Sequence, residues 1–225
     1  MTHFVTDRSY IIHLRPYREK SALIQLFTSN HGVISAVIHG VSQPQKKASL
    51  QLYTPSVVTW KDKRSLKQIS SFELEKNQPI LTGKHLLWGM YLNELIYKLL
   101  ATNDPYPSLF NEYEKCLYSL PIQQEESLRY FELSLLESIG YGFPDLSQIQ
   151  SSHVSFHADY GLCEASDQYI PIQHIQALQN RKLQSSEEKQ SAKIILRQFI
   201  QHVLGHHEIK TRQLVMPINK NQNKT

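Results

Sequence analysis

Tyr10-Ile11-Ile12-His13-Leu14, Ala22-Leu23-Ile24-Gln25-Leu26-Phe27 and Val33-Ile34-Ser35-Ala36-Val37-Ile38 open the stretch from Ser9 to Glu75 whose reading decides the fold. Ser56-Val57-Val58-Thr59-Trp60 and Leu66-Lys67-Gln68-Ile69-Ser70-Ser71-Phe72 complete it. Each run is short, rich in β-branched and aromatic residues and bounded by turn formers, as strands are. Five such runs at near-regular spacing, with no helical pattern long enough to cover a sheet, predict a small closed barrel rather than a βαβ unit. A five-stranded barrel of this size is most often an OB-fold. The competing reading is a helix over Ala22 to Val37, because short apolar runs carry no decisive period.

The connections between the runs carry the charge. Arg15-Pro16-Tyr17-Arg18-Glu19-Lys20 separates the first two runs, and Lys61-Asp62-Lys63-Arg64 makes a tight basic turn between the last two. In OB-folds those two loops flank the oligonucleotide-binding face. Lys46 and Lys47 add charge to the long connection between the third and fourth runs, Lys67 lies on a strand, and Tyr17, Tyr53 and Trp60 lie among the charges. Phosphate calls for cations that stay protonated at neutral pH, and unpaired bases call for flat π faces. The candidate DNA-binding residues are therefore Arg15, Tyr17, Arg18, Lys46, Lys47, Lys61, Lys63, Arg64 and Lys67. The bland alternative is solvated loop charge over barrel-core aromatics.

Whole-chain composition sets the bounds. At 225 residues, 40% hydrophobic and 20% charged, the chain is long enough for two modest cores. No apolar run approaches a bilayer span and the first residues lack a signal pattern, so the expected location is cytosolic, with no membrane partner. The net charge of +4 is uneven: residues 1–80 hold 11 Lys and Arg against 5 Asp and Glu, and the remainder holds 13 against 15. The basic part is the nucleic-acid candidate. Two cysteines, Cys116 and Cys163, are too few for a disulfide framework and are expected to be reduced thiols.

After Glu75 the period becomes helical, which predicts an α+β chain: a barrel domain over residues 1–79 and a mainly helical domain over 80–225. Leu86, Leu87, Met90, Tyr91, Leu95, Ile96 and Leu99 share one side of a first helix, and Pro107 can start a second that Pro121 stops. A third runs from about Glu125 to Ile139, with Gly140 or Gly142 as its left-handed cap. Residues 143–172 show no clear period and read as an irregular insert, with Val154-Ser155-Phe156 and Gln168-Tyr169-Ile170 as weak strand candidates. Pro171 opens a short helix through Leu178, and Ser185 with Glu188 forms a capping-box signature for a last helix ending at Gly205.

Nothing in the chain calls for bond chemistry. It has no phosphate-cradling Gly-x-x-x-x-Gly-Lys-Ser/Thr, no Gly-x-Gly-x-x-Gly, no Gly-x-Ser-x-Gly and no His-Glu-x-x-His. The carboxylate pairs Glu125-Glu126 and Glu187-Glu188 sit at helix starts, where acidic residues favour the macrodipole. No cofactor is expected and the chain reads as a non-enzyme. A metal-dependent nuclease would need converging carboxylates that no motif supplies. The remaining alternative is an OB-fold protein-interaction adaptor whose face binds protein rather than DNA.

Ile12-His13-Leu14-Arg15-Pro16-Tyr17-Arg18-Glu19, Leu26-Phe27-Thr28 before His31-Gly32, Leu52-Tyr53-Thr54-Pro55, Tyr91-Leu92-Asn93-Glu94-Leu95, Leu128-Arg129-Tyr130-Phe131-Glu132-Leu133 with Gly140-Tyr141-Gly142, and Ile209-Lys210-Thr211-Arg212-Gln213-Leu214 follow one another along the chain. Together they resemble the RecO family of DNA repair proteins. The resemblance implies an N-terminal OB domain and a C-terminal helical domain that bind single- and double-stranded DNA and anneal complementary strands without ATP. It also implies two partners, RecR and the acidic C-terminal tail of single-stranded-DNA-binding protein, and help in loading RecA. An acidic peptide ending in a free carboxylate needs an apolar groove with a cation at its mouth. Arg129, at the family motif's arginine position, is the candidate clamp; Lys193 and Arg197 can attract the acidic residues upstream or remain solvated. Lys210 and Arg212 match the terminal basic motif and touch DNA or pack on the domain. Many members carry paired Cys-x-x-Cys after Gly-Tyr-Gly, like a zinc finger. Here only Cys163 remains, with His153 and His157 nearby, one ligand short of a structural zinc site, so surface histidines are expected instead.

Overall fold

The computed structural model describes residues 3–62, 65–165 and 169–214. Its barrel comprises β1 (Phe4–Tyr17), β2 (Ser21–Thr28), β3 (Gly32–His39), β4 (Pro55–Lys61) and β5 (Lys67–Leu74), with a short helix α1 (Pro44–Ser49) between β3 and β4. The strands close in the order β1-β2-β3-β5-β4, the connectivity of an OB-fold. Ala22 to Val37 is thus two strands and not a helix. Ala22, Ile24 and Leu26 on β2 and Ile34, Ala36 and Ile38 on β3 all enter one core, a period of two that no helix face can satisfy. β1 serves two neighbours: Phe4 to Tyr10 pair with β4, and Ser9 to Tyr17 pair with β2. An irregularity between Ile11 and His13 bends the strand where it changes partner. Closure comes from two parallel pairings, Ala36 with Lys67 and Val37 with Gln68.

The barrel interior also takes Ile11, Val58 and Trp60, each at most 1% exposed. Burial of side chains of this size contributes about 1.5–3 kcal/mol each. On the outside, Tyr10 and Phe27 meet Phe110 and Tyr113 of α3 (Pro107–Ser119), with ring centroids 5.1–5.8 Å apart. The preceding helix, α2 (Lys84–Leu99), buries Tyr91, Leu92, Leu95 and Ile96. The β2–β3 hairpin depends on Gly32, whose φ is +66° and where an added Cβ would lie 1.8 Å from the Asp104 carbonyl oxygen.

Compactness divides the chain into residues 1–118 with 209–225, and residues 119–208. The change from strand to helix near residues 79–80 therefore falls inside the first unit, which holds the barrel, α2 and nearly all of α3. The second unit contains α4 (Gln124–Ser138), α5 (Ile172–Gln179) and α6 (Ser186–Leu204), with a small sheet of order β7-β6-β8 formed by β6 (His153–His157), β7 (Gly161–Glu164) and β8 (Ile170–Pro171). The stretch 143–172 that the sequence presents as irregular thus carries a small antiparallel sheet, with the expected strand at Val154-Ser155-Phe156 inside β6, while residues 143–152 hold only a single 3-10 turn at Leu146–Gln148. Its strands are too short for alternation to show, and only Val154 and Leu162 among their residues are fully buried. Gln168, part of one expected strand, lies outside the described residues.

Helix termini follow their sequence signals. Gly140, with φ +84°, ends α4, and the Tyr141 N–H donates to the Leu136 carbonyl at 2.8 Å, so Gly140 rather than Gly142 is the cap. At the start of α6 the Ser185 hydroxyl accepts from the Glu188 N–H at 3.1 Å and Glu188 accepts from the Ser185 N–H at 3.1 Å. Among the described residues no helix is long and apolar enough to cross a membrane.

Candidate nucleic-acid interface

Beyond its bend, β1 turns His13, Arg15 and Tyr17 to the outside of the barrel. Their registered neighbours are Gln25, Leu23 and Ser21 on β2, which in turn face Ser35, Val37 and His39 on β3. Arg15 and Tyr17 therefore lie on a strand rather than in the loop that the sequence suggests. The exposed Arg15 and the half-buried Tyr17 hide the strand character, which comes from pairing with Leu23 and Ser21. Gln25 Nε2 donates to Ser35 Oγ at 2.9 Å, and Ser21 Oγ lies 2.8 Å from His39 Nδ1. Over this face α2 places Tyr97, 49% exposed, with its ring 5.3 Å from that of His13 and inclined to it by 31°. Leu66 closes the side, giving a cleft of about 330 Å³ lined by His13, Arg15, Leu23, Gln25, Ser35, Leu66 and Tyr97.

Cations also follow the ends of two strands. After β1 the Arg18 guanidinium lies 5.1 Å from the Tyr17 ring centroid. At the end of β4, Lys61 pairs with Phe4 and lies 5.9 Å from its ring. Arg15, Arg18 and Lys61 have no carboxylate partner among the described residues, whereas Lys67 Nζ is 2.5 Å from Asp62 Oδ1. That contact with Lys67 holds the Asp62 carboxyl below its usual range. Lys63 and Arg64 lie outside the described residues. Lys46 and Lys47 sit on α1 rather than on a loop; Lys46 lines a separate cleft of about 400 Å³ with Gln43, Ser70 and Ser71.

The aromatic complement differs from the sequence expectation. Trp60 is in the barrel core and Tyr53, 8% exposed, is enclosed so tightly that a Cβ on Gly89 would come within 2.8 Å of its ring. Burial pushes the Tyr53 phenol up to about 12. Tyr17 remains on the face, and His13 and Tyr97 join it. His13 was accessible from the alternation that places Arg15; Tyr97 was not, because nothing local tells which exposed helix position returns to a barrel.

The second unit holds the expected partner residues. Arg129 on α4 is 5% exposed and its Nη2 donates to Glu132 Oε1 at 2.9 Å, one turn along the same helix. Its Nε has no hydrogen-bond partner among the described residues. Lys193 and Arg197 are exposed on α6. In the first unit, Lys210 is exposed, whereas Arg212 packs on α2, with its guanidinium carbon 5.5 Å from the Tyr91 ring centroid and Nη2 3.1 Å from the Tyr91 hydroxyl.

His153, His157 and Cys163 are not brought together. Four residues on a strand span about 13 Å, whereas the same interval on a helix brings two histidines together. The Cys163 thiol is 3.6 Å from the Ser155 carbonyl oxygen, to which it donates. Among the described residues no group of three His, Cys, Asp or Glu side chains is placed to hold a metal.

The fold and its cationic, aromatic face can be set beside known proteins. The model of the recombination protein O N-terminal domain matches residues 1–78, and that of the recombination protein O C-terminal domain matches residues 81–166. A DNA repair protein RecO from Methylococcus capsulatus is 34% identical over 221 residues, covering 92% of this chain and 91% of the relative. Proteins of the same name from Coxiella burnetii and Legionella pneumophila are 31% and 32% identical, each covering 93% of this chain and 96% of the relative. With both domain models in order and that identity sustained along nearly the whole length, the chain belongs to the recombination protein O family.

Proposed function

We propose that this chain is a non-enzymatic recombination mediator in DNA repair, which holds DNA on the outer face of its barrel and anneals complementary strands. The observation that carries the reading is a set of barrel cations without carboxylate partners among the described residues, Arg15, Arg18 and Lys61, of which Arg15 lines an aromatic-lined cleft. Annealing needs no bond to be made or broken: fixed cations offset phosphate repulsion between two strands while their bases find register. Lys46 and Lys47 on α1 add further positive charge, and the sequence supplies two more cations in Lys63 and Arg64. The site of action is cytoplasmic, at the nucleoid.

The helical unit serves protein partners, RecR and the acidic tail of single-stranded-DNA-binding protein, and so promotes RecA loading. Lys193 and Arg197 are directly available to an acidic tail. Arg129 is paired with Glu132 through Nη2 and is buried, so clamping a terminal carboxylate with its remaining donors requires the side chain to be uncovered. The test is annealing of complementary oligonucleotides coated with single-stranded-DNA-binding protein, intact or lacking its acidic tail. Acceleration that requires the tail is the expected result. Annealing no faster than the spontaneous rate, with association that salt barely affects, would leave the chain an adaptor.

A further inference from the structure

We propose that the cleft between the outer face of β1–β3 and α2 takes one unstacked nucleobase, which makes this face a reader of single strands. The inference rests on the DNA-holding role of the barrel and adds what that role leaves open, namely which part of the polymer the cleft contacts. A basic loop is indifferent to whether bases are paired; a cleft is not.

Three features fit a base. The Tyr97 ring is half exposed and already inclined against His13, so one face of a rigid aromatic pair is open to stacking. The cleft's volume of about 330 Å³ lies at the small end of ligand pockets, with Leu23 and Leu66 as apolar walls. Its polar end is the Gln25 amide, whose Nε2 is spent on Ser35 and whose Oε1 has no hydrogen-bond partner. That oxygen is buried, and because the amide is planar, turning it toward a base edge about the soft terminal torsion also releases Nε2 from Ser35. Arg15, exposed at the rim, is placed for the adjoining phosphate. In a duplex the same base is paired and stacked on both faces and cannot enter. Tyr97 belongs to α2, so the barrel alone does not complete the site.

The experiment compares binding of the full chain to three probes of equal length: a mixed-sequence single strand, the same backbone made abasic throughout, and a duplex. Wild type, Tyr97→Ala and Tyr97→Phe are each titrated. Wild type is expected to prefer the base-bearing strand over the abasic one by about tenfold or more. Tyr97→Ala removes most of that preference while leaving abasic and duplex affinities as they were, and Tyr97→Phe keeps it. Because Tyr97 is half exposed, thermal melting of the alanine variant is expected to match wild type closely, which separates loss of stacking from loss of fold. If normal and abasic strands bind alike and Tyr97→Ala changes neither, the base cleft is wrong while the DNA-holding face stands. If no probe binds, both fall.

Discussion

Arg8 shows how single residues hold the barrel to its helices. Its guanidinium donates from Nε and Nη2 to Glu75 at 2.6 and 2.8 Å, and from Nη1 and Nη2 to Glu114 on α3 at 2.8 and 2.5 Å, while the Tyr10 hydroxyl donates to Glu114 at 2.6 Å. Hydrogen bonds donated to Glu75 and Glu114 raise the Arg8 pKa, so the cation never titrates in practice. Burial by itself pushes the Glu114 carboxyl up, but the bonds from Arg8 and Tyr10 and the charge of Arg8 together outweigh it and hold the group below the ordinary glutamate value of 4.5. A carboxyl depressed in the folded state contributes stability that is complete above the unfolded value and is lost as pH falls through the folded one. Arg8→Ala should therefore cost about 1–2 kcal/mol at neutral pH, less than a fully buried pair because the groups are partly solvated. Urea denaturation at neutral pH and below pH 4.5 measures it: the gap between wild type and variant narrows in acid. A gap independent of pH would assign the loss to packing alone. Arg129 and Glu132 make the complementary point about legibility. Their spacing of three was visible in the sequence, and pairing across one helical turn follows from it; that this helix face would be buried was not, because burial is decided by distant elements.

At the scale of elements, the C-terminal basic motif is held by a carboxylate from α2. Glu94 accepts from the backbone N–H groups of Lys210 and Thr211, each at 2.9 Å, and from the Thr211 hydroxyl at 2.8 Å, with Lys98 Nζ 3.1 Å away. These are the first N–H groups of a helical segment at residues 210–214, so Glu94 caps it from another element. Burial raises the Glu94 carboxyl, and those donors more than reverse it, leaving the group more acidic than usual. Glu94→Gln removes the charge and one acceptor oxygen, and is expected to weaken docking of this segment by about 1–2 kcal/mol. Hydrogen exchange reads it directly: amides at residues 209–214 exchange faster while those of β2 and β3 do not change. Unchanged exchange at 209–214 would mean that buried Ile209 and Thr211 hold the segment without the cap. Such clasps are invisible in sequence because their partners lie over a hundred residues apart. The strands were legible for the opposite reason, since Ala22, Ile24 and Leu26 announce their face locally. α1 was not, being six residues with none buried, and β7 was not, being four residues with a single fully buried side chain.

At the scale of the molecule, the proposed DNA-holding role depends on which charges are free to meet phosphate. The sequence shows a basic first part but cannot show which cations are already neutralised. Arg15 and Arg18 are exposed without a carboxylate partner among the described residues, whereas Lys67 is closely paired with Asp62. Each phosphate neutralised on a single strand contributes about −0.7 to the slope of log affinity against log salt. Replacing Arg15 and Arg18 together by Gln should therefore flatten that slope by about 1.4 and weaken binding alike for all sequences. Removing Lys63 and Arg64 is expected to act in the same direction. The pair Asp62→Asn with Lys67→Gln substitutes one neutral pair for another, so slope and affinity should stay near wild type. The Arg15/Arg18 and Asp62/Lys67 variants thus separate free charge from compensated charge on the barrel. A slope unchanged by the loss of Arg15 and Arg18 would move the phosphate path off this face and onto α1, where Lys46 and Lys47 would carry it.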